Sequence, residues 1–130
     1  MKPNIIFVDD FLSVLECLQL LFKDEPYYIF TLDNPLEALN IIKTLKWAVI
    51  VAERYMKHMD GLDFLKKFRE LSPNTMWIFM TGDNETRANL EVLYSGNDYR
   101  FVKKPLDCIE IRQAVKEAIA QYENKFRKGA

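Results

Sequence analysis

Short apolar runs alternate with longer amphipathic segments five times along this chain, and that alternation limits the fold more than any other feature. The runs, rich in β-branched and aromatic residues, lie at 5–8, 27–32, 48–52, 76–80 and 99–102. Each is followed by apolar residues at helical spacing, such as Leu15, Leu18 and Phe22 after the first run. Strands that alternate with helices form parallel sheets covered on both faces and joined by right-handed crossovers. We therefore predict an α/β domain with a doubly wound, five-stranded parallel sheet.

Capping and turn residues predict where several helices begin. The sequence Asp-Asn-Pro at 33–35 is typical of a helix start, and a more polar helix is predicted from about 84 to 94. Asp107, with Glu110 three residues later, matches a capping box for the last helix. That helix is expected to continue past Tyr122 through residue 126.

The length and composition indicate one folded domain. The chain has 130 residues, which is long enough to form one hydrophobic core and too short for a second of ordinary size. Its composition, 49% hydrophobic and 28% charged, is ordinary for a folded globular protein. The net charge of −1 gives no reason to expect direct contact with nucleic acid or with a membrane. No apolar stretch suits a signal peptide or a membrane span, so we place the protein in the cytoplasm. Cys17 and Cys108 stand apart in the sequence and are interpreted as packing residues.

Polar side chains follow four of the predicted strands. They are Asp9 and Asp10 after the first, Glu53 after the third, Thr81 after the fourth and Lys104 near the end of the fifth. Because ligands of such folds bind at the carboxyl ends of the strands, we expect these side chains to converge. Clustered carboxylates repel one another, whereas Mg²⁺ prefers oxygen ligands and bridges to phosphoryl groups. No Gly-rich loop follows the first strand, which argues against a nucleotide site.

Simpler roles are open for the same residues. Asp9 and Asp10 could cap the helix that follows them, and Thr81 could do the same after the fourth strand. Lys104 could be a solvated lysine beside Lys103. We prefer the metal and phosphoryl interpretation because the residues come from different strand ends and are predicted to meet at one edge.

These residues resemble the receiver domain of bacterial response regulators, which has the CheY-like (βα)5 form of the flavodoxin-like fold. The likeness rests on Asp9-Asp10, the sequence M-K-H-M-D-G at 56–61, Thr81, and Lys104-Pro105, in the family's order and spacing. The resemblance implies a module of a two-component phosphorelay and not an enzyme. It also implies a histidine kinase or another signalling protein as partner.

The resemblance further implies a role for each residue. Asp10 would be the main Mg²⁺ ligand, assisted by Asp9, by the residue at the acceptor position and by the backbone carbonyl of Tyr55. Thr81 and Lys104 would contact the phosphoryl group. Phe101 would be the aromatic switch residue on the fifth strand.

The chain departs from the family pattern at the reaction centre. The phosphoacceptor aspartate lies eight residues before the glycine of the M-D-G segment, and that position holds Glu53. Lys57 also replaces a proline that is usual in this loop, and Tyr55 stands where a small polar residue is common. We therefore expect impaired aspartyl phosphorylation and weak or absent Mg²⁺ binding. Two alternatives stay open: Glu53 imitates the phosphorylated state, or it only fills space.

The resemblance assigns residues 1–122 to the receiver domain and 123–130 to a helical extension or a linker toward an output domain. The family's usual contact face corresponds to residues 84–126, which we expect to dock a partner or a second copy in a homodimer. A competing hypothesis is a small Mg²⁺-dependent phosphatase or phosphotransferase with Asp9 as its nucleophile. Such phosphatases need an aspartate two residues later, where this chain has Phe11.

Overall fold

Five parallel strands form one sheet in the computed structural model, which describes residues 2–81 and 99–128. The strands are β1 (Asn4–Val8), β2 (Tyr28–Leu32), β3 (Val49–Ala52), β4 (Met76–Met80) and β5 (Tyr99–Val102). They lie side by side in the order β2-β1-β3-β4-β5, and every neighbouring pair is parallel. This confirms the predicted doubly wound sheet. The strand order reverses between β1 and β3, which is where such folds place their ligand sites.

Helices connect and cover the strands. They are α1 (Leu12–Phe22), α2 (Pro35–Ile41), α3 (Gly61–Leu71) and α4 (Cys108–Lys128). The helix predicted at 84–94 lies outside the described residues. α2 is followed by a 3-10 turn at Ile42–Thr44, where the Thr44 hydroxyl donates a hydrogen bond to the Ile41 carbonyl.

Side-chain caps start three of these helices. Asn34 Oδ1 accepts from the Leu36 N–H at 2.9 Å, and Asp60 Oδ1 accepts from the Leu62 N–H at 2.8 Å. Asp107 Oδ1 accepts from the N–H groups of Ile109 and Glu110 at 2.8 and 3.0 Å. The predicted cap at Asp107 is therefore confirmed, since these bonds satisfy N–H groups that a helix start leaves unpaired.

Two apolar layers enclose the sheet. β3 and β4 are buried along their whole length, as expected for central strands with helices on both faces. On one face α1 and α4 pack through Leu18, Phe22 and Val115; on the other, α2 and α3 pack against Trp77 and its neighbours. Trp77 contacts the rings of Phe64, Phe68 and Phe79 at centroid distances of 5.3 to 5.7 Å. Trp77, at 1% exposure, is a core residue.

Cys17 and Cys108 do not pack in the core. Both are exposed and both are free thiols. The interpretation of both as packing residues was wrong: Cys17 lies on the exposed side of α1, and Cys108 is the first residue of α4. Within the described residues, none of the helices combines the length and the apolar character that crossing a membrane requires.

Candidate functional site

The carboxyl ends of β1 and β3 bring two acids onto one lysine. Lys104 Nζ lies 2.7 Å from Asp9 Oδ2 and 2.9 Å from Glu53 Oε2. Asp9 directly follows β1, Glu53 directly follows β3, and Lys104 lies in the loop between β5 and α4. Residues far apart in the sequence thus form one charged cluster at the edge where the strand order reverses.

Asp9 is an internal residue of this cluster. Its side chain is completely buried, and its second oxygen, Oδ1, accepts a hydrogen bond from the Phe11 N–H at 2.9 Å. Both oxygens therefore have partners, as a buried carboxylate requires. Asp9 does not cap α1: the N-cap residue is Phe11, without a side-chain cap hydrogen bond, and Asp9 accepts from the N–H of Phe11 itself.

Glu53 turns back toward its own loop. Oε1 accepts from the N–H groups of Arg54 and Tyr55 at 3.0 and 3.3 Å, while Oε2 pairs with Lys104. Only 7% of the residue is exposed. The extra methylene of a glutamate is thus accommodated by folding the side chain over the start of the β3–α3 loop.

Lys104 is held in its charged form. Burial alone would lower the pKa of its ammonium group, but the hydrogen bonds and negative charges of Asp9 and Glu53 outweigh that effect and raise the pKa above its ordinary value. The ammonium group also lies 5.7 Å from the centre of the Phe11 ring, a favourable cation–π distance. The possibility of a merely solvated lysine does not apply to Lys104.

Asp10 stands apart from the pair of acids that contact Lys104. Its Oδ2 accepts from the Lys57 N–H at 2.8 Å, which ties the loop after β1 to the loop after β3. Within residues 2–81 and 99–128, no three His, Cys, Asp or Glu side chains are grouped so that they could hold a metal ion. The oxygens of Asp9 and Glu53 contact Lys104 and backbone N–H groups, and Asp10 Oδ2 accepts from the Lys57 N–H, so a cation at this site would compete with these contacts. Asp9, Asp10, Glu53 and the Tyr55 carbonyl as metal ligands stay predictions.

Thr81 and Phe101 occupy the positions that the sequence suggested. Thr81 directly follows β4, is 6% exposed, and its N–H donates to the Val102 carbonyl at 2.9 Å. Phe101 lies on β5 with its ring stacked on that of Phe79, at 6.1 Å between centroids and 20° between planes. Their roles in phosphoryl contact and switching stay predictions.

The β3–α3 loop closes on itself through residues that the sequence reasoning missed. The Gly61 N–H donates to the Arg54 carbonyl at 2.6 Å, and a Cβ at Gly61 would lie 2.6 Å from Arg54 Cα and 2.7 Å from the Glu53 carbonyl oxygen. Arg54 Nε also lies 3.7 Å from Asp60 Oδ2, and Arg54 Cζ lies 5.1 Å from the centre of the Tyr55 ring. The Asp-Gly pair at the helix start was the available signal, because only glycine permits this approach.

The chain matches the family described as Response regulator receiver domain over residues 5–116. It is also 32% identical over 117 residues to Sporulation initiation phosphotransferase F of Bacillus subtilis, covering 90% of this chain and 94% of that protein. Transcriptional regulatory protein ZraR of Klebsiella oxytoca is 30% identical over 120 residues, which is 92% of this chain and 27% of that protein. The chain therefore spans about a quarter of the length of that regulator.

Solved structures agree with the fold. The beryllofluoride-activated receiver domain dimer of NtrC4 superimposes with a TM-score of 0.80 at 27% identity, covering 92% of this chain and 98% of that chain.

Proposed function

Because this chain belongs to the response regulator receiver domain family, we propose that it is a receiver module whose signal is protein contact without aspartyl phosphorylation. The observation that carries the proposal is the pairing of Lys104 with both Glu53 and Asp9. In this arrangement the lysine that would meet an incoming phosphoryl group already has two carboxylate partners.

Glu53 occupies the acceptor position in this proposal, and its geometry is unfavourable for phosphoryl transfer. Both of its oxygens have partners, two backbone N–H groups and one ammonium. The extra methylene displaces the carboxylate by about 1.5 Å relative to an aspartate. Since a displacement near 1 Å can lower the rate by about 10²-fold, ordinary acceptor chemistry is impaired.

The same contacts support a partial imitation of the phosphorylated state. A carboxylate at position 53 that pairs with Lys104 supplies one of the contacts expected of an acyl phosphate. It carries one negative charge where a phosphoryl group carries nearly two, and it offers two oxygens instead of three. The domain would then hold a single, permanently engaged conformation of its β5–α4 loop.

The proposal does not require Mg²⁺ at this site. Receiver domains typically bind Mg²⁺ at the phosphorylation site, where it neutralises the clustered acids. Here the Lys104 ammonium contacts both Asp9 and Glu53 and offsets part of their negative charge, and Asp10 accepts a hydrogen bond from the Lys57 N–H. We therefore expect Mg²⁺ binding to be weak or absent, although Asp9, Asp10, Glu53 and the Tyr55 carbonyl are the atoms that would provide ligands.

Receiver domains act with histidine kinases and output domains, and the partners of this chain are proposed on that basis. The relative ZraR is a longer transcriptional regulator, and the NtrC4 receiver forms a dimer. We assign residues 1–122 to the receiver and 123–130 to an extension that leads toward an output domain. The contact face is placed at 84–126, for a signalling protein or for a second copy.

The phosphatase alternative has less support. A nucleophile must be accessible to its substrate, whereas Asp9 is completely buried with one oxygen on Lys104 and the other on the Phe11 N–H. No catalytic activity is therefore proposed.

Incubation of the protein with acetyl phosphate and Mg²⁺, followed by intact-mass spectrometry, tests the proposal. The mass should stay unchanged, because Glu53 is engaged and poorly placed. A stable adduct of one phosphoryl group on Glu53 would show that the glutamate is a working acceptor.

A further inference from the structure

A groove of about 410 Å³ lies at the amino ends of β3 and β4, opposite to the edge of the sheet that carries Lys104. Its walls come from three parts of the chain: the segment 42–47 before β3, the segment 71–74 before β4, and Tyr122 on α4. A groove of this volume is within the range of sites that hold small organic molecules. It is separate from the cluster that Lys104 forms with its two acids.

Hydrogen bonds hold the walls of the groove in place. The Trp47 indole N–H donates to the Ile42 carbonyl at 3.0 Å, and the Thr75 hydroxyl donates to the Trp47 carbonyl at 2.8 Å. The hydroxyls of Ser72 and Thr75 lie 2.7 Å apart, so the segment before β3 and the segment before β4 are linked. Because these groups are already ordered, a ligand that binds here loses little free energy in arranging them.

Apolar side chains line the groove. Trp47 and Ile42 are buried residues of the lining, whereas Leu45 and Leu71 are 42% and 45% exposed. An apolar group in the groove would therefore remove leucine surface from water, which is favourable. Tyr122 adds a partly buried aromatic ring, and burial raises the pKa of its hydroxyl, so this residue brings no negative charge near neutral pH.

The charged side chains of the lining are two lysines, Lys43 and Lys46, and both are exposed. All ten lining residues lie in the part of the chain that the structure describes, and none of them is acidic. The whole chain has a net charge of −1, so this positive character is local to the groove. A cleft lined by charges of one sign attracts ligands of the other sign. The combination of apolar lining and cationic rim is complementary to an anion that has an apolar body.

We propose that this groove binds a small organic anion, a carboxylate with an aromatic or aliphatic body. The body would lie against Leu45, Leu71 and the Tyr122 ring, and the carboxylate would pair with Lys43 and Lys46. Ion pairs at exposed lysines are individually weak, so they select for the anion more than they strengthen its binding. A phosphoryl adduct at the opposite edge of the sheet would count against the proposed function and not against this site.

Titration with 3-phenylpropanoate, followed through the indole N–H signals in proton–nitrogen correlation spectra, tests the proposal. Trp47 lines the groove whereas Trp77 lies in the core, so the Trp47 signal should shift and saturate. Trp77→Phe identifies the two signals. The neutral analogue 3-phenylpropan-1-ol keeps the apolar body and should bind about fivefold more weakly, because it lacks the charge. No saturable shift of the Trp47 signal, or equal binding of acid and alcohol, would overturn the inference.

Charge reversal tests the two lysines. The double variant Lys43→Glu, Lys46→Glu should raise the dissociation constant of 3-phenylpropanoate by about tenfold, since attraction becomes repulsion. The matched control is Lys66→Glu, Lys67→Glu, which makes the same change of charge at exposed positions of α3 outside the groove and should leave the constant unchanged. Circular dichroism should show that both variants are folded. Equal constants for the two double variants would contradict the assignment of the carboxylate to the lysines.

The apolar side of the groove has its own variant. Leu71→Ser removes apolar surface from the rim and should weaken binding by about threefold, while Leu20→Ser, at an exposed leucine of α1, should not. Other occupants would give different results. Tighter binding of the acidic peptide N-acetyl-Glu-Phe-Glu-amide than of 3-phenylpropanoate would assign the groove to a protein segment. A shift of the Trp47 signal when the protein alone is concentrated would assign it to a second copy, and either result would overturn the inference.

Discussion

The Lys104 ammonium lies 2.9 Å from Glu53 Oε2, which joins the end of the third strand to the loop after the fifth. The contact involves a glutamate that is nearly buried and a lysine that is one-quarter exposed at its side chain. Lys104 also contacts Asp9, so one ammonium group pairs with two buried carboxylates. The electrostatic balance at this edge of the sheet therefore depends on Lys104.

Replacing Lys104 by methionine should destabilise the protein. The change keeps much of the stem but leaves Asp9 and Glu53 close together without a counterion. Breaking a buried pair costs about 3–5 kcal/mol, and the partial exposure of Lys104 lowers our expectation to about 2 kcal/mol. Urea unfolding would measure the change, with Lys103→Met, at the exposed neighbouring lysine, as the control. Equal stability of wild type and Lys104→Met would show that the two acids do not need the ammonium.

Stability should fall at alkaline pH through Lys104. Its pKa in the folded protein is raised above 10.5, so the folded state holds this proton more tightly than the unfolded state does. The contribution is complete below pH 10.5 and is lost as pH rises through the folded pKa. The pKa values of Tyr27 and Tyr122 are also raised, chiefly by burial, and act in the same direction. Unfolding free energies measured from pH 9 to 12 should fall less steeply in Lys104→Met; identical slopes would contradict this assignment.

Gly61→Ala should strain the start of α3. The new Cβ would lie 2.6 to 2.9 Å from backbone atoms of Glu53 and Arg54, which cannot rotate away as a flexible side chain can. We expect a loss of about 1–3 kcal/mol, the usual cost of overpacking. Urea unfolding would measure the loss, and Asp63→Ala, at an exposed position in the first turn of the same helix, serves as the control. A stability within 0.5 kcal/mol of the wild type, which is about the scatter of surface substitutions, would show that the loop moves easily.

The sequence predicted the sheet well and the site in part. The segment 76–80 is apolar throughout, because the strand it forms is buried on both faces. A continuous apolar run of this length can be recognised from the local sequence alone. The edge position of Asp9, Glu53 and Lys104 followed from the parallel topology. The pairing did not, because which acid a lysine contacts depends on side-chain torsions and on backbone N–H groups in the β3–α3 loop. The Arg54 and Asp60 contact was missed for the same reason, since the eight-residue loop returns to its own start.

Removal of divalent cations should leave the fold intact. Lys104 offsets part of the negative charge of Asp9 and Glu53, and the apolar core does not involve this edge, so we expect the fold to be stable without a metal. Thermal unfolding followed by circular dichroism should give the same melting temperature with excess EDTA and with Mg²⁺. A rise of several degrees with Mg²⁺ would contradict this expectation, since it would show that the folded state binds the cation.

Glu53→Asp tests whether the length of the acidic side chain is the only difference that separates this domain from phosphorylated receivers. The variant shortens the acid and leaves Asp9, Asp10, Thr81 and Lys104 in place. If the position of the carboxylate is the only defect, acetyl phosphate with Mg²⁺ should add one phosphoryl group to the variant and none to the wild type, as measured by intact mass. Glu53→Gln is the matched control, because it keeps the length and removes the charge, and it should gain no adduct. An inert Glu53→Asp would place the defect in the loop, where Lys57 binds Asp10 through its N–H and Arg54 pairs with Asp60. The imitation of the phosphorylated state by Glu53 would then lose its main support.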